Sequence, residues 1–326
     1  MGIGEIQARL QPQMHRVEAL IDTALRSDVG LIDAVNRRLR QHPGKQIRPS
    51  LALLSAAAAG TVREDTYCYA AAVELLHNAT LLHDDVVDGA TERRGLPTAL
   101  KMLGGGPAVL LGDFWLVKCI GQVLSARGVT PAIIGLFADT LSHLAEGELL
   151  QMEKAASGDT TQEDYFRILY GKTASLFELS ARTAALSVQA PDLVVSALSD
   201  YARHLGLAFQ IRDDIFDYGK PSEDIGKPVG IDLKEQKITL PLLCALERAD
   251  AETAARIRRQ VTEVAAHPAY ADEIRAFVWE QGGVEAATVR MEEQVKVALA
   301  ALRILPDSEE KEDLTVLAHY AADRSV

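Results

Sequence analysis

Apolar residues recur every three or four positions along nearly the whole chain, and almost every segment reads as helix. SLALLSAAAAG is rich in Ala and Leu and stops at Gly60, a fitting helix C-terminus. REDTYCYAAAVELLHNATLLHDDVVDG keeps helical spacing, with acids near its start and Gly89 at its end. GPAVLLGDFWLVKCIGQVLSARG predicts a mostly apolar, central helix. PAIIGLFADTLSHLAEGELLQMEKAASG opens on Pro131, at a first-turn position. TQEDYFRILYGKTASLFELSARTAALSVQA starts with a cap and an acidic first turn, and PDLVVSALSDYARHLGLAFQIRDDIFDYG again runs from Pro to Gly. Beyond about Lys237 the pattern predicts short helices joined by polar connectors. Strand alternation and Asn-Gly hairpin turns are missing, and no glycine-rich phosphate loop follows a strand pattern. The one sizeable irregular stretch is YGKPSEDIGKPVGIDLKEQK, a long polar loop of the kind that carries function. No linker divides the chain, so the expectation is one all-α domain, residues 1–326, with a buried central helix bundle.

Composition narrows the partners. A chain of 326 residues, 48% hydrophobic and 25% charged, can bury a substantial core and fits a soluble globular protein. Its formal charge of −12 disfavours nucleic acid as a partner, although a local basic pocket could still take a small anion. Cys68, Cys119 and Cys244 are far apart and lack CxxC spacing. That argues against a disulfide framework or zinc site and fits a reducing cytoplasm. The N-terminal MGIGEIQARLQPQ has an early Glu5 and no apolar core, so a signal peptide is not expected. Ile6 stands where a myristoylation pattern needs Ser or Thr. LALLSAAAAG, read as the longest apolar run, is too short for a bilayer, so no transmembrane segment is expected.

The chemistry concentrates in a frame that occurs twice: Asp84, Asp85 and Asp88, then Asp213, Asp214 and Asp217. On a helix, residues i and i+4 share a face, so Asp84 aligns with Asp88 and Asp213 with Asp217. Both frames end at a helix C-terminus, where the dipole already carries negative charge and carboxylates are unfavourable without cations. Hard oxygen ligands without Cys or His companions favour Mg²⁺, which binds through a few carboxylates plus substrate phosphates. A single such frame is more often a solvated helix end. Two copies, each after an apolar helix and each followed by bases (Arg93 and Arg94; Lys227 and Lys237), point to a diphosphate site.

The chain resembles the trans-isoprenyl diphosphate synthases, the polyprenyl synthetase family. The blocks are GKQIRP at 44–49, LLHDDVVDGATERRG at 81–95, GDF at 112–114, EGELLQ at 146–151, YGKTASLFE at 170–178, AFQIRDDIFDY at 208–218 and GKPVGIDLKEQKITLP at 226–241. Gln236 departs from the pattern, which usually has Gly there. The resemblance implies an isoprenoid-synthase type of helical bundle with a central active-site cavity, active as a homodimer. It implies head-to-tail condensation of isopentenyl diphosphate with an allylic diphosphate. By resemblance, Asp84, Asp85, Asp88, Asp213, Asp214 and Asp217 hold Mg²⁺, with Asp85, Asp214 and Asp217 able to act through water. Arg93, Lys172, Lys227 and Lys237 surround the allylic diphosphate. Lys45, Arg48, His77 and Arg94 bind isopentenyl diphosphate, and Thr173 and Gln210 line the reacting carbons.

From spacing alone His77 reads as a core histidine and Lys45 and Arg48 as surface charges in a polar connector; only the matched blocks give them a role. Glu146 and Glu148 face solvent or support the site, and His83 is a supporting residue. The resemblance around LLHDDVVD is closest to long-chain members that make quinone side-chain precursors. The resemblance implies that aromatic residues just upstream of the first frame give short products; Ala79, the main wall residue in this reading, Thr80 and Leu76 are not aromatic, which predicts linear products longer than geranylgeranyl diphosphate, primed by farnesyl diphosphate. Competing readings are a shorter-chain farnesyl or geranylgeranyl synthase, a terpene cyclase, which needs no second diphosphate pocket, and a non-catalytic partner subunit, which would lack one acidic frame.

Overall fold

The computed structural model describes residues 2–41, 44–219 and 230–323. Lys227 therefore lies outside the described residues. Order is helical almost throughout: α1 (Ile3–Ala24), α2 (Gly30–Leu39), α3 (Ile47–Ala59), α4 (Glu64–Val87), α5 (Ala99–Leu103), α6 (Gly105–Leu124), α7 (Pro131–Ser157), α8 (Gln162–Leu169), α9 (Ser175–Ser187), α10 (Asp192–Asp217), α11 (Ile231–Lys234), α12 (Leu240–Arg248), α13 (Ala251–Glu263), α14 (Tyr270–Glu280), α15 (Gly283–Ala301) and α16 (Glu309–Asp323). A π turn, Tyr170–Ala174, links α8 to α9. A small hairpin pairs β1 (Glu92–Arg93) antiparallel with β2 (Leu96–Pro97). The all-α class expected from periodicity is the class observed.

The chain divides into two compact units. The first is Met1–Ala138, Leu179–Ser199 and Ile304–Leu314. Its centre is α4, which packs on α1, α3 and α6. Ala and Leu occupy α4 on nearly every side, and Tyr69, Ala72, Leu75, Leu76 and Ala79 are buried. Sequence had given the central place to α6. That helix instead buries Ala108, Leu111, Trp115 and Cys119 and exposes Leu110, Val117, Ile120 and Leu124. By length and composition α6 is long and apolar enough to cross a membrane, with 39% of its apolar window buried. Reading LALLSAAAAG as the longest apolar run passed over it.

The second unit is Asp139–Glu178, Asp200–Arg303 and Thr315–Val326. Here α12 packs on α8, α13, α14 and α15. Thr239 precedes it, Pro241 lies in its first turn, and Leu240, Leu242, Leu243 and Leu246 are all buried. Each such leucine contributes about 1.5–3 kcal/mol relative to exposure. Beyond Lys237, α15 (19 residues) and α16 (15 residues) exceed the short helices expected there.

Candidate functional site

In the first unit, α4 ends at Val87 with Asp88 as its C-cap and Gly89 just beyond. The three acids of the frame are not equivalent. Asp88 is exposed and Asp84 half-buried, whereas Asp85 is only 3% exposed. Arg93 holds Asp85, with Nε and Nη2 each 2.7 Å from Oδ1. Burial pushes the Asp85 carboxyl up, and the Arg93 charge opposes that. Arg93 lies on β1, but Arg94 lies in the hairpin turn. Arg94 at φ 53° and Gly95 at φ 74° fill its two central positions, the pattern of a type I′ turn. Adjacent arginines thus have separate destinations. The hairpin was not legible because Arg takes the place usual for Asn.

Arg94 points to the GKQIRP block. Gly44 has φ 77°, and a Cβ there would fall 2.4 Å from Arg94 Cζ, so only glycine lets the guanidinium lie against this backbone. Arg48 stands in the first turn of α3 rather than in the expected connector. Its Nη1 is 3.1 Å from His77 Nε2, and Ser180 Oγ donates to its carbonyl at 2.6 Å. Burial lowers Arg48 to about 10. Burial, with the Arg48 and Arg94 charges, holds His77 well below its ordinary value. His77 is then neutral; its Nε2 accepts from Arg48 and the proton is assigned to Nδ1. Lys45, next to Gly44, Arg48, His77 and Arg94 thus gather within this unit.

Glu74, missed in the sequence, is 5% exposed and takes a bond from Asn78 Nδ2 at 3.1 Å. Burial raises its pKa, and the Arg48 and Arg94 charges oppose this. Leu76 and Ala79 are each 1% exposed, whereas Thr80 is half-buried with its hydroxyl donating to His77 O at 2.8 Å. His83 Nε2 is 3.2 Å from Asp113 Oδ1 and 3.3 Å from Val109 O, a supporting contact to α6.

In the second unit, EGELLQ and YGKTA meet backbone to backbone. A Cβ on Gly147 would lie 3.0 Å from Gly171 Cα, and one on Gly171 would lie 2.6 Å from His143 O. Two glycines therefore let α7 and the π turn touch. Sequence predicted one unbroken α-helix here. Instead Ser175 N reaches back five residues to Tyr170 O, and Ser175 Oγ takes up Gly171 O at 2.8 Å. The turn presents Lys172 and Thr173. Lys172 Nζ bonds Glu148 Oε2 at 2.6 Å and Gln151 Oε1 at 3.0 Å, so Glu148 supports the site while Glu146 is exposed.

A polar chain continues from Thr173. Its hydroxyl donates to Gln210 Oε1 at 2.9 Å, and Gln210 Nε2 donates to Asp214 Oδ1 at 3.0 Å. Tyr165 Oη donates to Asp214 Oδ2 at 2.6 Å. Asp214 is 5% exposed, and burial pushes its carboxyl to about 7 against the pull of those bonds. Asp217 is engaged elsewhere, its oxygens accepting from Ile231 N at 2.9 Å and Asp232 N at 3.0 Å, at the start of α11. Asp213 is half-buried. A cavity of about 150 Å³ is lined by Tyr165, Lys172, Gln210, Asp214, Asp232 and Lys237, among others. Lys237 also pairs with Glu235. Tyr165 and Asp232 escaped the sequence reading, though each stands beside or inside a matched block. Burial pushes Asp232 well up, and Asp214 and Asp217 add to it.

A family profile described as polyprenyl synthetase matches residues 30–277. The chain belongs to the polyprenyl synthetase family. An octaprenyl diphosphate synthase of Haemophilus influenzae is 38% identical over 325 residues, spanning 100% of this chain and 98% of its own. A decaprenyl diphosphate synthase from Rhodobacter capsulatus superposes with a TM-score of 0.93 at 34% identity, covering 99% of both chains. A polyprenyl synthase from Caulobacter crescentus, complexed with calcium and isoprenyl diphosphate, gives a TM-score of 0.91 at 33% identity, covering 100% of this chain and 98% of that one.

As a polyprenyl synthetase the chain is a transferase, and its paired frames can be weighed as cation sites. Among the described residues, no three His, Cys, Asp or Glu converge into a preformed metal cage. A small hard cation is held by a few carboxylates and completed by phosphate oxygens. In each frame the second acid is buried on a protein donor, Asp85 on Arg93 and Asp214 on Tyr165 and Gln210. The first acids, Asp84 and Asp213, stay partly exposed.

Proposed function

We propose that this polyprenyl synthetase condenses isopentenyl diphosphate with an allylic diphosphate, farnesyl diphosphate in our reading, to give linear all-trans products longer than geranylgeranyl diphosphate. The observation that carries the reading is the cluster of Lys45, Arg48, His77 and Arg94 in the first unit, joined by GKQIRP and the hairpin turn. Condensation needs a diphosphate pocket besides the acidic frames, and a cyclase does not.

Asp84, Asp88 and Asp213 are the residues we assign to Mg²⁺. Asp85, Asp214 and Asp217, which accept from Arg93, from Tyr165 and Gln210, and from the start of α11, belong to the same assignment and would act through water. Bound Mg²⁺ supplies positive charge that stabilises the leaving diphosphate. Lys172 and Lys237 are assigned to the same group, as is Arg93, which holds Asp85. When the allylic C–O bond breaks, the Thr173 hydroxyl oxygen and the Gln210 amide oxygen face the developing cation. Arg48, kept in place by neutral His77, and Arg94, seated on Gly44, orient isopentenyl diphosphate. The new C–C bond forms, and the proton lost from the isopentenyl carbon passes to the released diphosphate.

Half-buried Thr80 is the wall residue for the growing tail, whereas Ala79 and Leu76 pack inside the unit. The exposed apolar stripe Leu110, Val117, Ile120 and Leu124 on α6 supports a homodimer. Three free, buried cysteines support a cytoplasmic location. The test incubates pure protein with Mg²⁺, labelled isopentenyl diphosphate and primers of several lengths. Linear products beyond geranylgeranyl length are expected; cyclised hydrocarbon, short products alone or no turnover would overturn the reading.

A further inference from the structure

Gln236 is a non-glycine residue in the left-handed region, at φ 59°. Its place in the chain explains the geometry. Helix α11 ends at Lys234, Gln236 N donates to Leu233 O at 3.0 Å, and Lys237 N donates to Asp232 O at 2.8 Å. These two bonds form a Schellman motif, whose left-handed position normally goes to glycine or asparagine. The motif ties Lys237 to Asp232, and both line the 150 Å³ cavity.

The glutamine side chain does what glycine could not. Gln236 Nε2 donates to Thr262 O at 2.6 Å, in the last turn of α13. The next-turn amide, Ala266 N, bonds Glu263 O instead, so Gln236 supplies a donor to a carbonyl at the end of the helix. One turn earlier, Arg258 Nη1 donates to Gly158 O at 3.0 Å and to Thr160 O at 3.1 Å. Thr160 lines the same cavity. Helix α13 is therefore bonded to Gly158 and Thr160 through Arg258 and to the segment that carries Lys237 through Gln236.

We infer that Gln236 is a positioning residue that, through its bond to Thr262 O, fixes Lys237 for the allylic diphosphate. The inference rests on the function proposed above. Its backbone conformation is unfavourable for glutamine and is maintained by the side-chain anchor. Two variants separate these effects. Gln236→Gly relieves the backbone and removes the anchor. Gln236→Asn suits the left-handed position but is one methylene too short to reach Thr262 O.

The experiment measures initial rates against allylic diphosphate and isopentenyl diphosphate, together with Tm and hydrogen exchange across residues 231–239. Both variants should raise KM for the allylic diphosphate about fivefold to tenfold, leave KM for isopentenyl diphosphate unchanged, and speed exchange in 231–239. Tm of the Gly variant should stay within a degree of wild type, an outcome a merely structural residue would not combine with a KM change. Gln236→Arg, long enough to donate to Thr262 O, should restore most of the allylic KM. Wild-type allylic KM and exchange in both the Gly and Asn variants would overturn the inference while wild-type turnover left the function standing. A wild-type protein without prenyl transfer would instead refute the function, and the exchange data would still report whether the anchor holds the segment.

Discussion

Gly44→Ala tests the first-unit cluster through a residue that has no charge of its own. Gly44 lies at φ 77°, a region that costs an L-residue roughly 1–2 kcal/mol. With an unfolding entropy of roughly 0.7 kcal/mol/K for a chain of this length, that strain lowers Tm by about 2 °C. The larger effect is on Arg94. A Cβ 2.4 Å from its Cζ forces the guanidinium to retreat by about 1 Å to reach ordinary contact. Such misplacement can cost up to about a hundredfold where geometry is tight, but a flexible arginine recovers part of it. We expect KM for isopentenyl diphosphate to rise about tenfold, about 1.4 kcal/mol, with KM for the allylic primer within about twofold of wild type. Initial-rate kinetics with each substrate varied in turn measures both. If the effect runs through Arg94, Gly44→Ala in an Arg94→Ala background adds nothing to KM. Additive losses, or an unchanged KM for isopentenyl diphosphate in a folded Gly44→Ala enzyme, refute the argument.

Tyr165→Phe keeps the ring and removes the donor to Asp214 Oδ2; a hydrogen bond contributes about 0.5–1.5 kcal/mol net, so turnover should fall up to about tenfold, and full activity would show that Asp214 needs no such support. Asp84→Ala and Asp213→Ala should abolish most turnover, as should chelation of divalent metal, with the far-UV helical signal unchanged; near-wild-type rates in either variant would remove that acid from the assignment. Thr80→Tyr should shorten the product by plugging the wall, while Ala79→Tyr, at a position 1% exposed, should overpack and lower Tm; chromatography of chain lengths and a thermal melt separate the two. His77 has its folded pKa depressed below the unfolded value near 6.5. Its contribution to stability is therefore complete above about pH 6.5 and is lost as pH falls towards the folded value, by up to about 1.4 kcal/mol per pH unit. Denaturant midpoints from pH 7.5 to 5 should decline less steeply in His77→Gln, and parallel slopes would show that His77 does not titrate on unfolding.

Helix placement was legible because it depends on local pattern. The ends of α3 at Gly60 and of α4 beside Gly89, Pro131 at the start of α7 and Pro191 just before α10 follow from backbone preferences carried by single residues. The errors have a common cause: they concern how elements meet. Periodicity makes α6 apolar but cannot say that α4 would take the central place. It cannot see the π turn either, because YGKTA reads as helix whether each carbonyl bonds four or five residues on. Residue types at the site were legible and their partners were not. Asp214 meets Tyr165 across 49 positions of sequence, and Arg48 meets His77 across 29. Nothing local distinguishes Asp85 from Asp84; only burial against Arg93 does. Arg48 was misplaced in a connector because Gln46, at φ 46°, starts α3 without a capping side chain.

The π turn at Tyr170–Ala174 is in effect a one-residue surplus within a helical rod. An α-helix advances about 100° per residue, and the wide turn absorbs that surplus: with one of residues 171–174 deleted, Ser175 N would stand four residues after Tyr170 and the helices on either side would keep their phase. Lys172 keeps its direction only if counted from α8, and Thr173 keeps its contact with Gln210 only if the surplus residue remains. The chain would lose little helix by such a deletion, since Ser175 N would keep Tyr170 O as its partner. A deletion series through 170–174 thus separates two properties usually inseparable in a helix: its formation, which needs none of the five positions in particular, and the simultaneous aim of a cation and a hydroxyl, which needs the full count.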